Sequence, residues 1–343
     1  MIIYASTTWL SYAQYGTSLY YFKSQLYHLS WGIVVFLLSV KSNPAIYCRY
    51  ARCFLVLNLI VLGLIHIPGF GISAGGASRW FGSAFLRFQP GEMLKISLIC
   101  YLSMQLMEHR ESMNSFRQGL LEPIVFLMIS AGLLLIEPDF GTMVILFLIT
   151  FFMLYASHIR MRYLIMLASV AIFIFLHSIA TSSYRMARLL TSLDPWEYRY
   201  SSGYQIIQSI ILLGSSGLFG QRGEYIFFDL NFLPAAHTDF VFAVLSEYFG
   251  IFGIVSVLIL YMIILGAGFC IASKSVDYLS FYLLVGINLL LGIQIFFNIC
   301  VVSGSLPTKG LTLPLLSYGG SSFIVTCWAI GVMYRIGTRL IKS

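Results

Sequence analysis

The stretch that decides the fold is Leu233-Pro234-Ala235-Ala236-His237-Thr238-Asp239-Phe240. It closes the one long polar segment of the chain and opens a long apolar helix. Asp239 therefore places a carboxylate at the lip of a predicted membrane span, where a charge is unfavourable unless it is solvated, paired or functional. Two interpretations remain open: Thr238 or Asp239 caps the first amide groups of the helix that begins near Phe240, or Asp239 performs chemistry.

The composition around this stretch is that of a membrane protein. Of the 343 residues, 59% are hydrophobic and only 10% are charged, whereas soluble domains have about 25% charged residues. The mean hydropathy is +0.88, and the aromatic share of 16% suits interface belts and apolar packing. The net charge of +7 is spread over short loops and the C-terminal tail without a basic run, which excludes a nucleic-acid-binding surface.

The apolar pattern predicts an all-α, polytopic membrane protein with ten helices, forming a single transmembrane domain over residues 1–343. Residues 1–10 are too short for a span, which needs about 20 residues, so the first helix is interpreted as truncated. Residues 181–239 are predicted to form one long loop between helices 7 and 8. The nine later spans are expected over residues 26–40, 53–70, 92–107, 122–136, 141–157, a segment ending near 180, 240–272, 279–302 and 316–334.

The orientation follows from the basic residues of the short loops, because cytoplasmic loops are enriched in Lys and Arg. One set of loops carries eleven basic residues and the opposite set carries four. The first set includes Lys41, Arg49, Arg52, Arg160 and Arg162. This asymmetry predicts a cytoplasmic C-terminus and places residues 181–239 outside the membrane.

The cysteines and histidines show no metal-binding pattern. The six cysteines lie in or beside apolar stretches without a Cys-x-x-Cys pair, and the six histidines are scattered. We expect free thiols and no metal site built from these residues.

Several polar groups near the outer side are candidates for chemistry. Glu92 and Lys95 are three residues apart on one helix face; they form either a neutralising pair or a cation for a phosphate with the carboxylate that holds it. Glu137 and Asp139 flank Pro138 in a tight turn, where turn chemistry accounts for the residue types.

Two further features favour an anionic ligand. Arg185 and Arg188 are three residues apart at the start of the long loop. The segment 306–322 contains two prolines, three glycines and six hydroxyl residues, which predicts irregular backbone that is buried in protein or lines a wet cavity. A helix then begins, and its N-terminus attracts anions. Together these groups predict an outward-facing cavity for an anionic amphiphile such as a lipid-linked phosphate.

The chain resembles the SEDS family (shape, elongation, division and sporulation) over nearly its whole length. The sequence of residues 306–314 is similar to that of the cell-division branch, whereas the elongation branch usually lacks the Thr-Lys pair. The departures are the short first helix and Gly91, where serine is usual. The segments that carry the resemblance are Arg79-Trp80, Gln89-Pro90-Gly91-Glu92 with Lys95, Glu137 to Thr142, Leu193-Asp194-Pro195-Trp196, Ser202-Gly203-Tyr204-Gln205, Gln208-Ser209, Pro234 to Phe240 and Pro307 to Ser322.

This resemblance implies a ten-helix bundle in the cytoplasmic membrane that polymerises glycan strands from lipid II on the outer side, at the division septum. It implies a class B penicillin-binding protein and other division proteins as partners, and a divalent cation, Mg²⁺ or Mn²⁺, with unknown ligands. The family's required aspartate matches Asp239. The candidate substrate-binding residues are Arg79, Glu92, Lys95, Arg185, Arg188, His237, Thr238, Lys309, Ser317, Tyr318, Gly319 and Gly320.

The expected chemistry is attack of an acceptor sugar's C4 hydroxyl on the anomeric carbon of a donor, with undecaprenyl diphosphate leaving. Asp239 would serve as general base, and Lys95, arginines or a metal would stabilise the leaving diphosphate. The alternatives are a lipid II flippase, an elongation-type polymerase and a non-catalytic scaffold for division proteins. A flippase needs polar residues through the membrane depth, whereas here they cluster on the outer side.

Overall fold

The structure, a computed structural model, describes residues 4, 7, 11–12, 15–67, 70–74, 77–82, 87–111, 115–220, 233, 236–308 and 310–342. The first predicted span lies largely outside these residues. The α-helices of the described part are α1 (Tyr20–Lys41), α2 (Pro44–Arg49), α3 (Ala51–Leu64), α4 (Pro90–Glu108), α5 (Leu121–Ile136), α6 (Phe140–Ala156), α7 (Met161–Ala180), α8 (Ser183–Leu193), α9 (Tyr204–Ser215), α10 (Val241–Lys274), α11 (Tyr278–Val302) and α12 (Gly320–Lys342).

The chain is mostly helical, and four of these helices, α7, α10, α11 and α12, are long and apolar enough to cross a membrane. Shorter apolar helices, including α3, α5 and α6, accompany them. The predicted spans after residue 20 each correspond to a helix, and most ends lie within a few residues of the expected ones; α1 begins six residues earlier, α3 ends six residues earlier and α12 ends eight residues later than predicted. Long apolar runs fold as helices in a bilayer because a helix satisfies every backbone amide and carbonyl internally.

Local sequence fixes several helix ends. Pro44 occupies the first turn of α2, where its missing N–H is harmless, and the Asn43 side chain accepts a hydrogen bond from Ala45 N at 3.2 Å. Asp139 caps α6 through Thr142 N at 3.1 Å. The predicted irregular segment before α12 is also present, because residues 303–308 and 310–319 lie outside any helix and α12 begins at Gly320.

The chain forms two compact units. The first comprises residues 1–30, 173–264 and 293–319, and the second comprises residues 31–172, 265–292 and 320–343. The two units are described separately below.

The core of the second unit is α4, which is buried on nearly all sides. A helix that is buried all round needs close neighbours, and Gly286 of α11 supplies one: a Cβ there would lie 2.6 Å from Ile99 Cγ2. At the start of α4, Gln89 N donates to Ser321 Oγ at 3.0 Å, which ties it to the start of α12. The polar residues of α4 are therefore held inside protein.

A small antiparallel sheet precedes α4. Its strands are β1 (Gly71–Ala74), β2 (Ala77–Gly82) and β3 (Arg87–Phe88), in the order β1-β2-β3. Ile72 pairs with Trp80, and Phe81 pairs with Phe88. These strands are too short to show a clear alternation of apolar and polar residues in the sequence.

In the first unit, the predicted loop of residues 181–239 contains two helices, α8 and α9. The Ser182 side chain caps α8 by accepting a hydrogen bond from Arg185 N at 3.4 Å. Along α9, Ile206, Ser209 and Leu212 are buried, and Ser209 Oγ donates to Val302 O at 2.7 Å. The segment predicted as one long loop between two spans thus contains two short helices, which its overall polar character did not indicate.

A kink in α10 accommodates residues 217–220 of the same unit. Gly250 has φ +63° and ψ −159°, a conformation that only glycine adopts readily. Beside it, Ile251 N donates to Gly217 O at 3.1 Å and Phe252 N donates to Leu218 O at 3.2 Å. A Cβ at Gly250 would lie 2.4 Å from Gly220 N, so this packing requires glycine.

Candidate active site

The segment that carries Asp239 is joined by hydrogen bonds to the irregular segment before α12. Ser317 Oγ donates to Thr238 O at 2.5 Å, and Tyr318 N donates to His237 O at 2.8 Å. Ser317 Oγ also accepts a bond from Leu313 N at 2.7 Å. One hydroxyl thus connects both segments, and the backbone just before Asp239 is fixed by residues about eighty positions away.

Asn298 of α11 completes this attachment. Its Nδ2 donates to Asp239 O at 2.9 Å and to Leu311 O at 2.8 Å. The side chain is 1% exposed. A buried amide that bridges two non-helical carbonyls satisfies backbone acceptors that would otherwise be without a partner, so Asn298 positions the Asp239 backbone.

The Asp239 carboxylate faces a glycine. A Cβ built on Gly310 would lie 3.7 Å from Asp239 Oδ2, and Gly310 has φ +70°. Glycine at this position permits the turn and leaves that side of the carboxylate free of a side chain. Asp239 itself is partly exposed, as a group that acts on a substrate must be.

Aromatic rings surround His237. The ring centroids of Tyr21 and Tyr318 lie 5.4 Å and 5.6 Å from that of His237, and the two tyrosine rings are 5.4 Å apart. The Tyr318 hydroxyl is hydrogen-bonded to Ser24 Oγ at 2.9 Å. These rings form a partly exposed aromatic surface next to the Asp239 segment.

Burial lowers the pKa of His237 to about 4, because a charged imidazolium is poorly solvated there. His237 is therefore neutral at physiological pH. It places no positive charge two residues from Asp239.

The two arginines of α8 differ in their partners. Arg185 Nη1 donates to Ser178 O at 3.0 Å and to the Ser178 hydroxyl. Arg188 Nη1 donates to Thr308 O at 2.5 Å, and its guanidinium carbon lies 4.6 Å from the centroid of the Tyr184 ring. Arg188 is thus brought to the same segment that contains Gly310, whereas Arg185 closes the preceding helix end.

In the second unit, Glu92 and Lys95 form a buried ion pair. Lys95 Nζ lies 2.7 Å from Glu92 Oε1, and the two residues are 0% and 7% exposed. This geometry matches the interpretation of a neutralising pair, since a buried charge without a partner is strongly unfavourable. A role of Lys95 in substrate binding stays a prediction.

The turn between α5 and α6 contains two acidic residues, Glu137 and Asp139. Asp139 accepts bonds from Thr142 Oγ1 at 2.8 Å and from Gln89 Nε2 at 3.5 Å, and Arg79 Nη2 donates to Pro138 O at 2.7 Å. Glu137 is 1% exposed. Burial, together with the charge of Asp139, raises the pKa of Glu137 to about 8, and Arg79 opposes this shift. Through its hydrogen bond to Pro138 O, Arg79 stabilises this turn.

The remaining candidates are distributed as follows. Lys309 lies outside the described residues. Gly319 directly precedes α12, and Gly320 is its first residue. The structure thus gathers His237, Thr238, Arg188, Ser317 and Tyr318 around the Asp239 segment in the first unit, and it places the Glu92–Lys95 pair and Arg79 in the second.

Two contributors were missed in the sequence. Asn298 stands in an otherwise apolar run, and a polar residue in a membrane helix commonly bonds across to another segment; that signal was available. Tyr21 gave no such signal in the sequence, because aromatic residues are frequent throughout this chain. Only the packing shows that its ring contacts His237.

Apolar helices of spanning length, together with a partly exposed, backbone-anchored carboxylate, define a multi-pass membrane protein with a polar site. The chain belongs to the cell cycle protein family of FtsW, RodA and SpoVE, whose family model matches residues 1–341. The resemblance deduced from the sequence is thereby confirmed.

Relatives with assigned names are similar over almost the full length. A protein of Geobacter sulfurreducens (strain DL-1 / KN400), named probable peptidoglycan glycosyltransferase FtsW, is 35% identical over 343 residues, which cover 99% of this chain and 91% of the relative. A protein of the same name from Coxiella burnetii is 36% identical over 340 residues, covering 98% and 91%.

Solved structures have the same fold. A chain from a study of how a peptidoglycan synthase complex coordinates polymerization and crosslinking aligns with a TM-score of 0.79 at 25% identity, covering 100% of this chain and 97% of that one. The rod shape determining protein RodA of Thermus thermophilus aligns with a TM-score of 0.70 at 26% identity, covering 98% and 93%.

Proposed function

We propose that the protein is a peptidoglycan glycosyltransferase that polymerises lipid II into glycan strands during cell division. The observation that carries this proposal is the setting of Asp239: its backbone is held by Asn298 at 2.9 Å and its carboxylate faces Gly310. The names of the full-length relatives support the reaction class and the division role.

In the proposed reaction, Asp239 takes the proton of the acceptor sugar's C4 hydroxyl as that oxygen bonds to the donor's anomeric carbon. The bond from the anomeric carbon to the diphosphate oxygen breaks, and undecaprenyl diphosphate leaves with its electron pair. A positioned general base contributes roughly 10²- to 10⁴-fold in rate. The diphosphate leaves as a stabilised anion, so its departure requires no proton.

Two features of the first unit support this role. Neutral His237 adds no positive charge of its own beside Asp239. Arg188 donates to Thr308 O and lies against the Tyr184 ring, so it brings a cation to the segment that contains Gly310. We assign it to the anionic diphosphate.

A divalent cation, Mg²⁺ or Mn²⁺, stays a prediction. The described residues contain no group of three or more His, Cys, Asp or Glu side chains that could hold a metal ion. Magnesium commonly uses only one or two carboxylates together with waters and substrate phosphates, and Asp239 fits that pattern. When bound, such an ion would offset charge on the diphosphate.

The proposal extends to partners and location. The chain similar to part of a peptidoglycan synthase complex supports a class B penicillin-binding protein as partner, and the division role would add further division proteins at the septum. The eleven-to-four distribution of basic residues supports a cytoplasmic C-terminus.

The test is Asp239→Asn in purified protein, with glycan length from lipid II measured on a gel. Asparagine caps a helix about as well as aspartate but does not accept a proton at neutral pH, so we expect a folded protein whose polymer yield falls on the order of 10²-fold or more. Asp277→Asn is the matched control, since Asp277 bonds Leu279 N at 3.2 Å and Ser280 N at 3.3 Å as a cap.

Normal polymer from Asp239→Asn would refute the general-base assignment. A lipid II translocation assay in sealed vesicles, run on the same preparations, separates the flippase alternative: wild-type translocation without any polymerisation would replace the enzyme by a transporter. Thermal unfolding of each variant shows whether lost polymer reflects lost folding.

A further inference from the structure

The second unit contains an apolar cleft that the proposed reaction does not use. Its volume is about 390 Å³, and it is formed by α1, α2, α3, α4 and α12. Helix α4 contributes Met93, Ile96 and Cys100, which share one face at helical spacing. The cleft is therefore formed by the packed helices of this unit and is not a gap between loops.

The cleft has a buried floor and an exposed rim. Ile96, Cys100 and Val325 of the floor are 5%, 2% and 3% exposed, whereas Tyr50 and Phe54 at the rim are 59% and 38% exposed. Such a cleft opens away from the protein interior. In a chain that spans a membrane, it opens toward lipid.

The lining offers water little to bind. Most of its groups are aliphatic or aromatic, and the Tyr47 hydroxyl is already hydrogen-bonded to Ser42 Oγ. The Trp328 ring packs edge-on against Tyr47, with centroids 5.5 Å apart. An apolar cavity of about 150 Å³ stays dry and binds benzene; by proportion, this cleft accommodates roughly fifteen carbons, about the length of a lipid acyl chain.

Basic side chains stand at one end of the cleft. The Arg49 guanidinium carbon lies 6.0 Å from the centroid of the Tyr50 ring, which lines the cleft. Lys41 is exposed and directly precedes Ser42, the partner of Tyr47. Arg52 is already paired with Glu122 at 3.0 Å, so Arg49 and Lys41 provide the positive charge at this rim.

We propose that this cleft binds one anionic phospholipid, with an acyl chain between Trp328 and α4 and its phosphate against Arg49 and Lys41. An apolar cleft with cations at a single end matches the division of a phospholipid into chain and charged headgroup. The basic-residue asymmetry assigns this end to the cytoplasmic leaflet, where basic residues attract anionic lipids. The site is independent of the glycosyltransferase proposal.

The experiment uses the full-length protein in vesicles that contain phosphatidylglycerol or phosphatidylcholine with a photoactivatable diazirine in one acyl chain. After illumination, peptide mass spectrometry locates the adducts. We expect adducts on Met93 to Cys100 and on Ile324 to Trp328, about 25-fold more abundant with phosphatidylglycerol, since each of the two basic residues contributes about fivefold.

Arg49→Gln should reduce the excess of phosphatidylglycerol adducts to about fivefold, and adding Lys41→Gln should reduce the adducts to the phosphatidylcholine level. The matched change Arg160→Gln, at an exposed basic residue on another loop, should leave the excess unchanged. Ile96→Trp should fill the floor and abolish the adducts. Because that variant risks misfolding, the Arg49→Gln result decides by itself.

Adducts spread evenly over the lipid-facing helices, or equal yields with both lipids, would overturn the proposal. So would complete displacement by undecaprenyl phosphate at a tenth of the phospholipid concentration, since the occupant would then be a polyprenyl carrier.

Discussion

Asn298→Leu tests whether one buried amide holds the candidate catalytic aspartate in place. The substitution keeps a similar volume but removes the donor that bonds Asp239 O at 2.9 Å and Leu311 O at 2.8 Å. Both carbonyls lie outside the helices. In the variant, each carbonyl loses the hydrogen bond that the Asn298 side chain donates to it.

The expected magnitude follows from those two bonds. Loss of the hydrogen bond to a buried carbonyl costs about 1–3 kcal/mol, so loss of both bonds should cost roughly 2–6 kcal/mol of stability. Activity should fall further than stability explains, because displacement of a catalytic group by about 1 Å can reduce the rate on the order of 10²-fold.

The assay is polymer yield from lipid II at a temperature where thermal unfolding shows the variant to be folded. Asn288→Leu is the matched control on the same helix, because Asn288 Nδ2 donates to Leu284 O at 3.0 Å within α11 and bridges no other segment. It should be folded and active. An Asn298→Leu protein with normal polymer yield, or an equal loss in both variants, would refute the positioning role.

Three further predictions concern other parts of the chain. Burial raises the pKa of Glu137 to about 8, so the folded state retains a proton that the unfolded chain releases above about 4.3. Thermal stability should therefore fall between these pH values, by at most about 5 kcal/mol. Glu137→Gln should flatten that pH dependence, whereas an unchanged slope would contradict it. Gly250→Ala should strongly lower the thermal stability of the protein, because its Cβ would lie 2.4 Å from a backbone nitrogen. The control Gly266→Ala, whose Cβ would have no atom within 4 Å, should be neutral or slightly stabilising in the same unfolding measurement. Replacing Glu92 and Lys95 together by apolar residues should preserve polymerisation if the pair only neutralises itself; loss of polymer from a stable double variant would show that Lys95 binds substrate.

Local patterns in the sequence were sufficient for the spans. In a bilayer, the backbone amides and carbonyls of an apolar run can form hydrogen bonds only with one another, which favours a helix. Helices such as α5 and α6 therefore begin and end close to the predicted residues. The Glu92–Lys95 ion pair was also predictable, because residues three apart share a helix face. The cap formed by Asp139 follows from its own neighbours in the chain.

The surroundings of Asp239 needed the tertiary structure. Asn298 reaches Asp239 from 59 positions away, and Ser317 reaches Thr238 from 79 positions away. No periodicity encodes which distant hydroxyl or amide will meet a given carbonyl, since that depends on how the segments pack. The neutral state of His237 arises in the same way, because its burial by other elements is absent from the local sequence.

The sequence by itself determined that this protein spans a membrane many times, which family it belongs to and which aspartate is the candidate base, because hydropathy and short motifs are local properties. Only the tertiary structure decided that residues 181–239 contain α8 and α9, that Gly250 must lack a side chain, and that Asn298 holds the Asp239 backbone. These features depend on contacts between segments far apart in the chain, and such contacts form only when the helices pack.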